Sequence, residues 1–216
     1  MSRLPSFLTV ARRRATWVAP LAAACLMGVV ASAQRSGGGD SPDARALADL
    51  VAKDQIREQI YNYSRGLDRM DRALAVQVWH PDGTADYGGT VTKGSEFVDR
   101  AFRMHESFIS HTHHMIDTII RVDGDTAVSE TYANSSMLQK TAERVVQGVL
   151  VQPQGVSVTL IRGRYADKWS KRNGRWAIDH RKYIEDFRTV EQFPSQPRPS
   201  AGKRDRTDPS YGIYQH

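Results

Sequence analysis

Ser110-His111-Thr112-His113-His114-Met115 places three histidines within four residues. Imidazole exchanges protons near neutral pH and also ligates metals, so the cluster suggests either proton transfer or a metal centre. Strand geometry argues against the metal. The stretch has a period of two, neighbouring side chains on a strand point to opposite faces, and His113 and His114 cannot both reach one ion. His114 shares its parity with Ile116, Ile120 and Val122, whereas His113 goes with Asp117 and Arg121. The alternation therefore predicts that His114 faces the interior, with no metal bound. Asp68 ends a helical stretch just after Leu67, and Tyr63 precedes it by five residues, about a turn and a half of helix, so both can look toward one cavity. Arg181 lies deep in the last predicted strand, where a guanidinium needs a partner or open water. Each residue also has a plain structural reading: a satisfied core histidine, a solvated corner acid, a core aromatic, an edge arginine.

The elements that would position them are legible from periodicity. Ser41-Pro42-Asp43 is a helix start, and Ile56, Ile60, Tyr63 and Leu67 fall on one helical face. Asp68 to Asp71 form a corner, Ala73 to Trp79 begin a second short helix, and Pro81-Asp82-Gly83 stops it. Short extended pieces flank Gly88-Gly89. Ser95 can cap a third helix with a stripe of Phe97, Val98, Ala101, Phe102, His105 and Phe108. Beyond Ser110 the period becomes two: Thr112 to Val122, Thr126 to Leu138, Val145 to Val151, Val156 to Trp169 and Arg175 to about Phe187 read as strands. Helices first and antiparallel strands afterwards indicate an α+β domain, with a strongly curved sheet wrapped around the helices and a pocket between them. Trp79, Tyr87, Tyr132 and Asn134 are candidates to line that pocket.

The chain has 216 residues and a formal charge of +6. Residues 1–33 contain Arg3, Arg12, Arg13 and Arg14 and no acid. Of 30 basic residues 26 then remain against 24 acidic ones, too even a balance for a phosphate-binding face. Basic residues, the apolar run Ala15 to Val30, and Ala31-Ser32-Ala33 make a secretory signal peptide, predicting export to a periplasm or the outside. If uncleaved, the run would serve as a membrane anchor; with it removed, no stable span is expected. The one cysteine, Cys25, lies in this leader, so a mature chain would have no disulfide or thiol nucleophile. Residues 34–40 read as a flexible linker, 41–190 as the folded domain and 191–216 as an irregular tail. Glycine-rich phosphate loops, a Ser-His-Asp arrangement and CxxC pairs are absent from the sequence.

Asp54 to Tyr87, with Tyr63, Asp68 and Trp79-His80-Pro81-Asp82-Gly83, resembles the start of the SnoaL-like branch of the nuclear transport factor 2-like superfamily. So do Thr112 to Ile116, the Asp123-Gly124-Asp125 turn, Gly163 to Asp167 and Asn173-Gly174-Arg175-Trp176. Within it the chain is most similar to the group containing scytalone dehydratase, bile-acid 7α-dehydratase and hexachlorocyclohexane dehydrochlorinase. The resemblance implies a cone-shaped α+β roll that assembles as a dimer or trimer. It also implies a cofactor-independent lyase that removes water or halide from a small apolar, ring-containing molecule. Asp68, His114 and Arg181 fall on that group's aspartate, histidine and arginine places, and Tyr63 on the dehydratases' tyrosine. In those roles His114 takes a proton from carbon, Asp68 fixes its tautomer, Tyr63 donates to the departing group, and Arg181 offsets negative charge. Two other readings fit the same fold: a binding module for a steroid, aromatic or lipid ligand, and an interaction domain whose pocket is filled by side chains.

Overall fold

A computed structural model describes residues 41–141, 144–147, 149–151, 155–195, 198 and 200–213. The leader and linker expectations lie outside the described residues.

Helix α1 spans Pro42–Asp68 and starts as its sequence dictates: the Ser41 hydroxyl accepts the Ala44 amide at 3.1 Å, and Pro42 occupies the first turn. Its buried face comprises Ala52, Ile56, Ile60, Tyr63, Gly66 and Leu67. Met70 (φ 50°) ends it by adopting the left-handed conformation; the Asp71 amide returns to the Gly66 carbonyl at 2.8 Å and the Met70 amide to Leu67 at 3.2 Å. This Schellman turn usually takes glycine at the Met70 position. Gly66 permits the tight corner, since a Cβ there would lie 2.6 Å from the Ala75 backbone nitrogen. Helix α2 (Arg72–Val76) follows, with the Asp71 side chain capping Leu74.

Strands β1 (Trp79–Asp86) and β2 (Val91–Lys93) lead into helix α3 (Gly94–His105). Strands β3 (Ser110–Asp123), β4 (Thr126–Lys140), β7 (Val156–Arg172) and β8 (Arg175–Phe193) form the long antiparallel part of the sheet. A small separate hairpin pairs β5 (Arg144–Val146) with β6 (Val149–Val151). The six-stranded, curved and unclosed sheet has the order β2-β1-β8-β7-β4-β3. The fold is the expected α+β class, with these departures: residues 79–83 lie in β1 rather than ending the second helix, residues 145–146 and 149–151 fall in the small hairpin rather than in one strand, and β1 pairs with β8 in parallel. That pairing joins segments almost a hundred residues apart and leaves no local signal.

The core lies between α1 and the inner sheet face, where Ile56, Ile60, Tyr63, Val78, Trp79, Val98, Tyr165, Trp169, Trp176 and Ile178 pack. No helix among the described residues is long and apolar enough to cross a membrane.

Candidate functional site

Strand β3 begins with His111, His113 and Met115 on its inner face. Its register on β4 runs regularly to Met115–Ala133 and resumes at Thr118–Thr131, so Ile116 and Asp117 oppose Tyr132 alone. This β-bulge adds one residue and inverts the alternation. Thr118, Ile120 and Val122 point inward after it, and His111, His113 and Met115 before it. The expectation for His114 is thereby corrected: it is exposed, because parity counted back from Ile120 and Val122 crosses the bulge.

His113 occupies the inward place. Its Nδ1 lies 2.7 Å from Asp68 Oδ1, and its backbone amide donates to Asp68 Oδ2 at 3.1 Å. The carboxylate can only accept, so Nδ1 carries a proton, and in the neutral ring the lone pair is on Nε2. Both side chains are largely withdrawn from water, His113 6% and Asp68 15% exposed.

His113 lines a cavity of about 260 Å³ together with Tyr63, Tyr87, His105, Tyr165 and Tyr183. Leu67, Phe97, Ala101, Ala133, Met137 and Ile161 complete an apolar wall, and Arg100 and Arg188 also border it. Tyr87 stacks between Phe97 and Tyr183, at centroid distances of 3.8 and 5.0 Å. Its hydroxyl meets that of Tyr63 at 3.0 Å. Burial pushes the Tyr63, Tyr87 and Tyr165 phenols up, and Tyr183 rises for the same reason to about 12. At neutral pH these hydroxyls donate hydrogen bonds and keep their protons.

Arg181 differs from its expected role. It is fully buried, and two hydrogen bonds of 2.7 and 2.8 Å tie it to Asp167, directly opposite in the β7–β8 register. Its guanidinium lies 4.4 Å from the Tyr63 ring centre and 4.1 Å from that of Tyr165, behind the rings that face the cavity. It is therefore placed to act on the tyrosines rather than on a ligand. Tyr132 and Asn134 share the parity opposite to buried Thr131 and Ala133, and Tyr132 is exposed outward; Ala133, Ser135 and Met137 take the lining places. Trp79 is buried against Tyr63 but does not border this cavity, whereas Tyr87 does.

The sequence places His111 in the histidine cluster and His105 on the α3 stripe, but gives no sign that the two meet. His105 and His111 are each 2% exposed, with ring centres 4.4 Å apart. His111 Nε2 donates to the Leu67 carbonyl at 2.7 Å, and the Nδ1 atoms of both rings are buried without a hydrogen-bond partner. Burial, reinforced by the neighbouring imidazoles, drives His105 down to about 3. Burial also drives His111 down to about 4, with the Leu67 bond opposing it. Among the described residues, Asp68, His111 and His113 each place one potential ligand atom within 4.8 Å of the others. These two histidines alternate on one strand face, the spacing that adjacent His113 and His114 lack. The hydrogen bonds to Asp68 and Leu67 already engage one nitrogen of each ring.

The model of the SnoaL-like domain matches residues 48–182. The chain belongs to the SnoaL-like family. No curated protein matches its sequence. Among solved structures, the SnoaL-like domain is similar to a hexachlorocyclohexane dehydrochlorinase, LinA type 2, at a TM-score of 0.58 and 13% identity, covering 72% of this chain and 99% of that one. It is similar to the LinA type 3 dehydrochlorinase of Novosphingobium barchaimii at a TM-score of 0.57 and 16% identity, covering 71% and 99%. A scytalone dehydratase-like protein from Novosphingobium aromaticivorans gives a TM-score of 0.55 and 18% identity, covering 72% and 99%. At such identities the likeness concerns the fold.

Proposed function

We propose that the domain is a lyase that eliminates water or hydrogen halide from a small, mostly apolar molecule containing a ring, with His113 as base and Asp68 as its orienting partner. The observation that carries the reading is the two-point bond between them, 2.7 Å to the ring and 3.1 Å to the amide, at the wall of an aromatic cavity.

The chemistry follows from the tautomer. Nε2 of His113 takes a proton from carbon; the C–H electron pair becomes the new double bond as the C–O or C–halogen bond breaks. Asp68 stabilises the imidazolium that forms and prevents the ring from turning. Halide leaves as the anion, while a departing hydroxyl takes up a proton and leaves as water; the imidazolium can return that proton. Tyr63 and Tyr87 supply two hydroxyls for the leaving group or for a carbonyl acquiring enolate character, in a site where low dielectric strengthens each bond. Arg181 lies behind the Tyr63 ring and opposes the effect of burial on its phenol. No step calls on a metal or organic cofactor. Exposed Ile119, Val128 and Tyr132 on the outer sheet face support the expectation of a homo-oligomer.

The test is a panel of hydroxysteroid, hydroxylated aromatic and halogenated alicyclic compounds, incubated with the protein and followed by mass spectrometry. The proposal expects one class to lose the mass of water or hydrogen halide. Tight binding with complete recovery of every compound would instead make the domain a binding module.

A further inference from the structure

The family match ends at residue 182, yet the chain returns to the site after β8 ends at Phe193. Asp208 organises the returning segment: it is 5% exposed, accepts the Lys203 amide at 2.7 Å and the Ser210 amide at 3.0 Å, and caps the short 3₁₀ turn Pro209–Gly212. Hydrogen bonding holds its carboxyl well below the usual range.

The segment contacts two places. At the α1–α2 corner, Arg206 bonds Asp71 at 2.9 Å and the Tyr211 hydroxyl bonds the same oxygen at 3.1 Å. Arg65 donates to Ser210 at 3.2 Å with its guanidinium 4.6 Å from the Tyr211 ring centre, and Arg69 pairs with Asp208 at 3.5 Å. These corner residues flank Asp68 on both sides. At the end of α3, the Arg204 guanidinium donates to the carbonyls of His105 and Phe108, which open the connection to His111 and His113. A cation on those carbonyls also suits the negative end of the helix. One segment thus grips both stretches of backbone that carry the Asp68–His113 pair.

We propose that Lys203 to Tyr211 is a positioning brace: it holds the α1–α2 corner against the α3–β3 connection and thereby fixes the approach of the Asp68 carboxylate to the His113 ring and amide. Its catalytic consequence rests on the lyase reading; its geometric consequence does not. Isolated exposed ion pairs contribute little. Here Asp71 and Asp208 are buried, and each has several partners within the segment or the corner, so the contacts act together. A misplaced base costs rate far more than binding, because proton transfer depends steeply on distance and direction.

The experiment compares the full-length chain with Arg204→Gln, with the double variant Arg206→Gln/Tyr211→Phe, and with Arg164→Gln as a control. Arg164 pairs with Glu130 and Asp186 on the exposed side of the sheet. Residue-resolved amide hydrogen exchange reads the His113 amide, which the bond to Asp68 protects. We expect its exchange to accelerate about tenfold or more in both brace variants and to stay unchanged in the control, with β7 amides unchanged throughout. On a converted substrate, kcat should fall at least tenfold with KM within twofold. Unchanged His113 exchange in both brace variants would overturn the brace. Accelerated exchange without any elimination in the parent protein would uphold the geometry and refute only the lyase reading.

Discussion

Acidification provides a quantitative test of the buried histidine pair. His105 and His111 are lowered from 6.5 to about 3 and about 4, chiefly by burial. The unfolded chain holds these rings in water, where each binds a proton near pH 6.5. Between pH 6.5 and about 4 the unfolded state therefore carries two protons more than the folded one, and stability falls as pH falls. Each group loses about 1.4 kcal/mol per pH unit in that window, so at pH 5 the pair together costs about 4 kcal/mol relative to pH 8. That is a large share of the roughly 5–15 kcal/mol that holds an ordinary domain together. The acids lowered by hydrogen bonds and cations, Asp82, Asp86, Asp99, Asp205 and Asp208, begin to lose their contribution only below about pH 5, outside the range from pH 8 to 5. Urea unfolding at half-unit pH steps from 8 to 5 should show an acid slope of nearly two protons. His105→Phe, which keeps a ring against Phe108, should reduce it to nearly one. A slope below one proton in the parent protein would refute the burial argument for both rings.

Further outcomes follow from the geometry. Asp167→Asn removes the charge that balances the fully buried Arg181 and should destabilise the domain by about 3–5 kcal/mol in urea unfolding, while the apolar double variant Arg181→Met/Asp167→Leu should recover most of that loss. Met70→Gly relieves a left-handed residue and should stabilise the chain by about 1 kcal/mol, read as a rise in Tm. Tyr63→Phe deletes one hydroxyl of the tyrosine pair without opening a cavity, and on a converted substrate should lower kcat about 10- to 100-fold with little change in Tm.

The helical face of α1 was legible in the sequence because Ile56, Ile60, Tyr63 and Leu67 repeat at helical spacing, and all four are buried as read. The Asp123-Gly124-Asp125 and Asn173-Gly174 turns were legible from turn chemistry, with both glycines at positive φ. Asp68 and Tyr63 stood at the end of that face and could be placed together. The histidine could not be read correctly, since a bulge depends on how β3 pairs with β4 and leaves no mark in the β3 sequence itself. The Arg181–Asp167 pair was hidden for a related reason: the sequence shows two strand charges, and only the β7–β8 register sets them opposite each other. Tyr132 and Asn134 were misplaced by one residue, an error that moves a side chain to the other face of a sheet.

The central claim is that Asp68 and His113 act as one proton-transfer unit, and turnover of a converted compound by Asp68→Asn, His113→Ala and His114→Ala measures it directly. The first two variants should stay folded and lose about 10²- to 10⁴-fold in kcat, while exposed His114→Ala retains the parent rate. Parental turnover by folded His113→Ala, or a loss confined to His114→Ala, would contradict it.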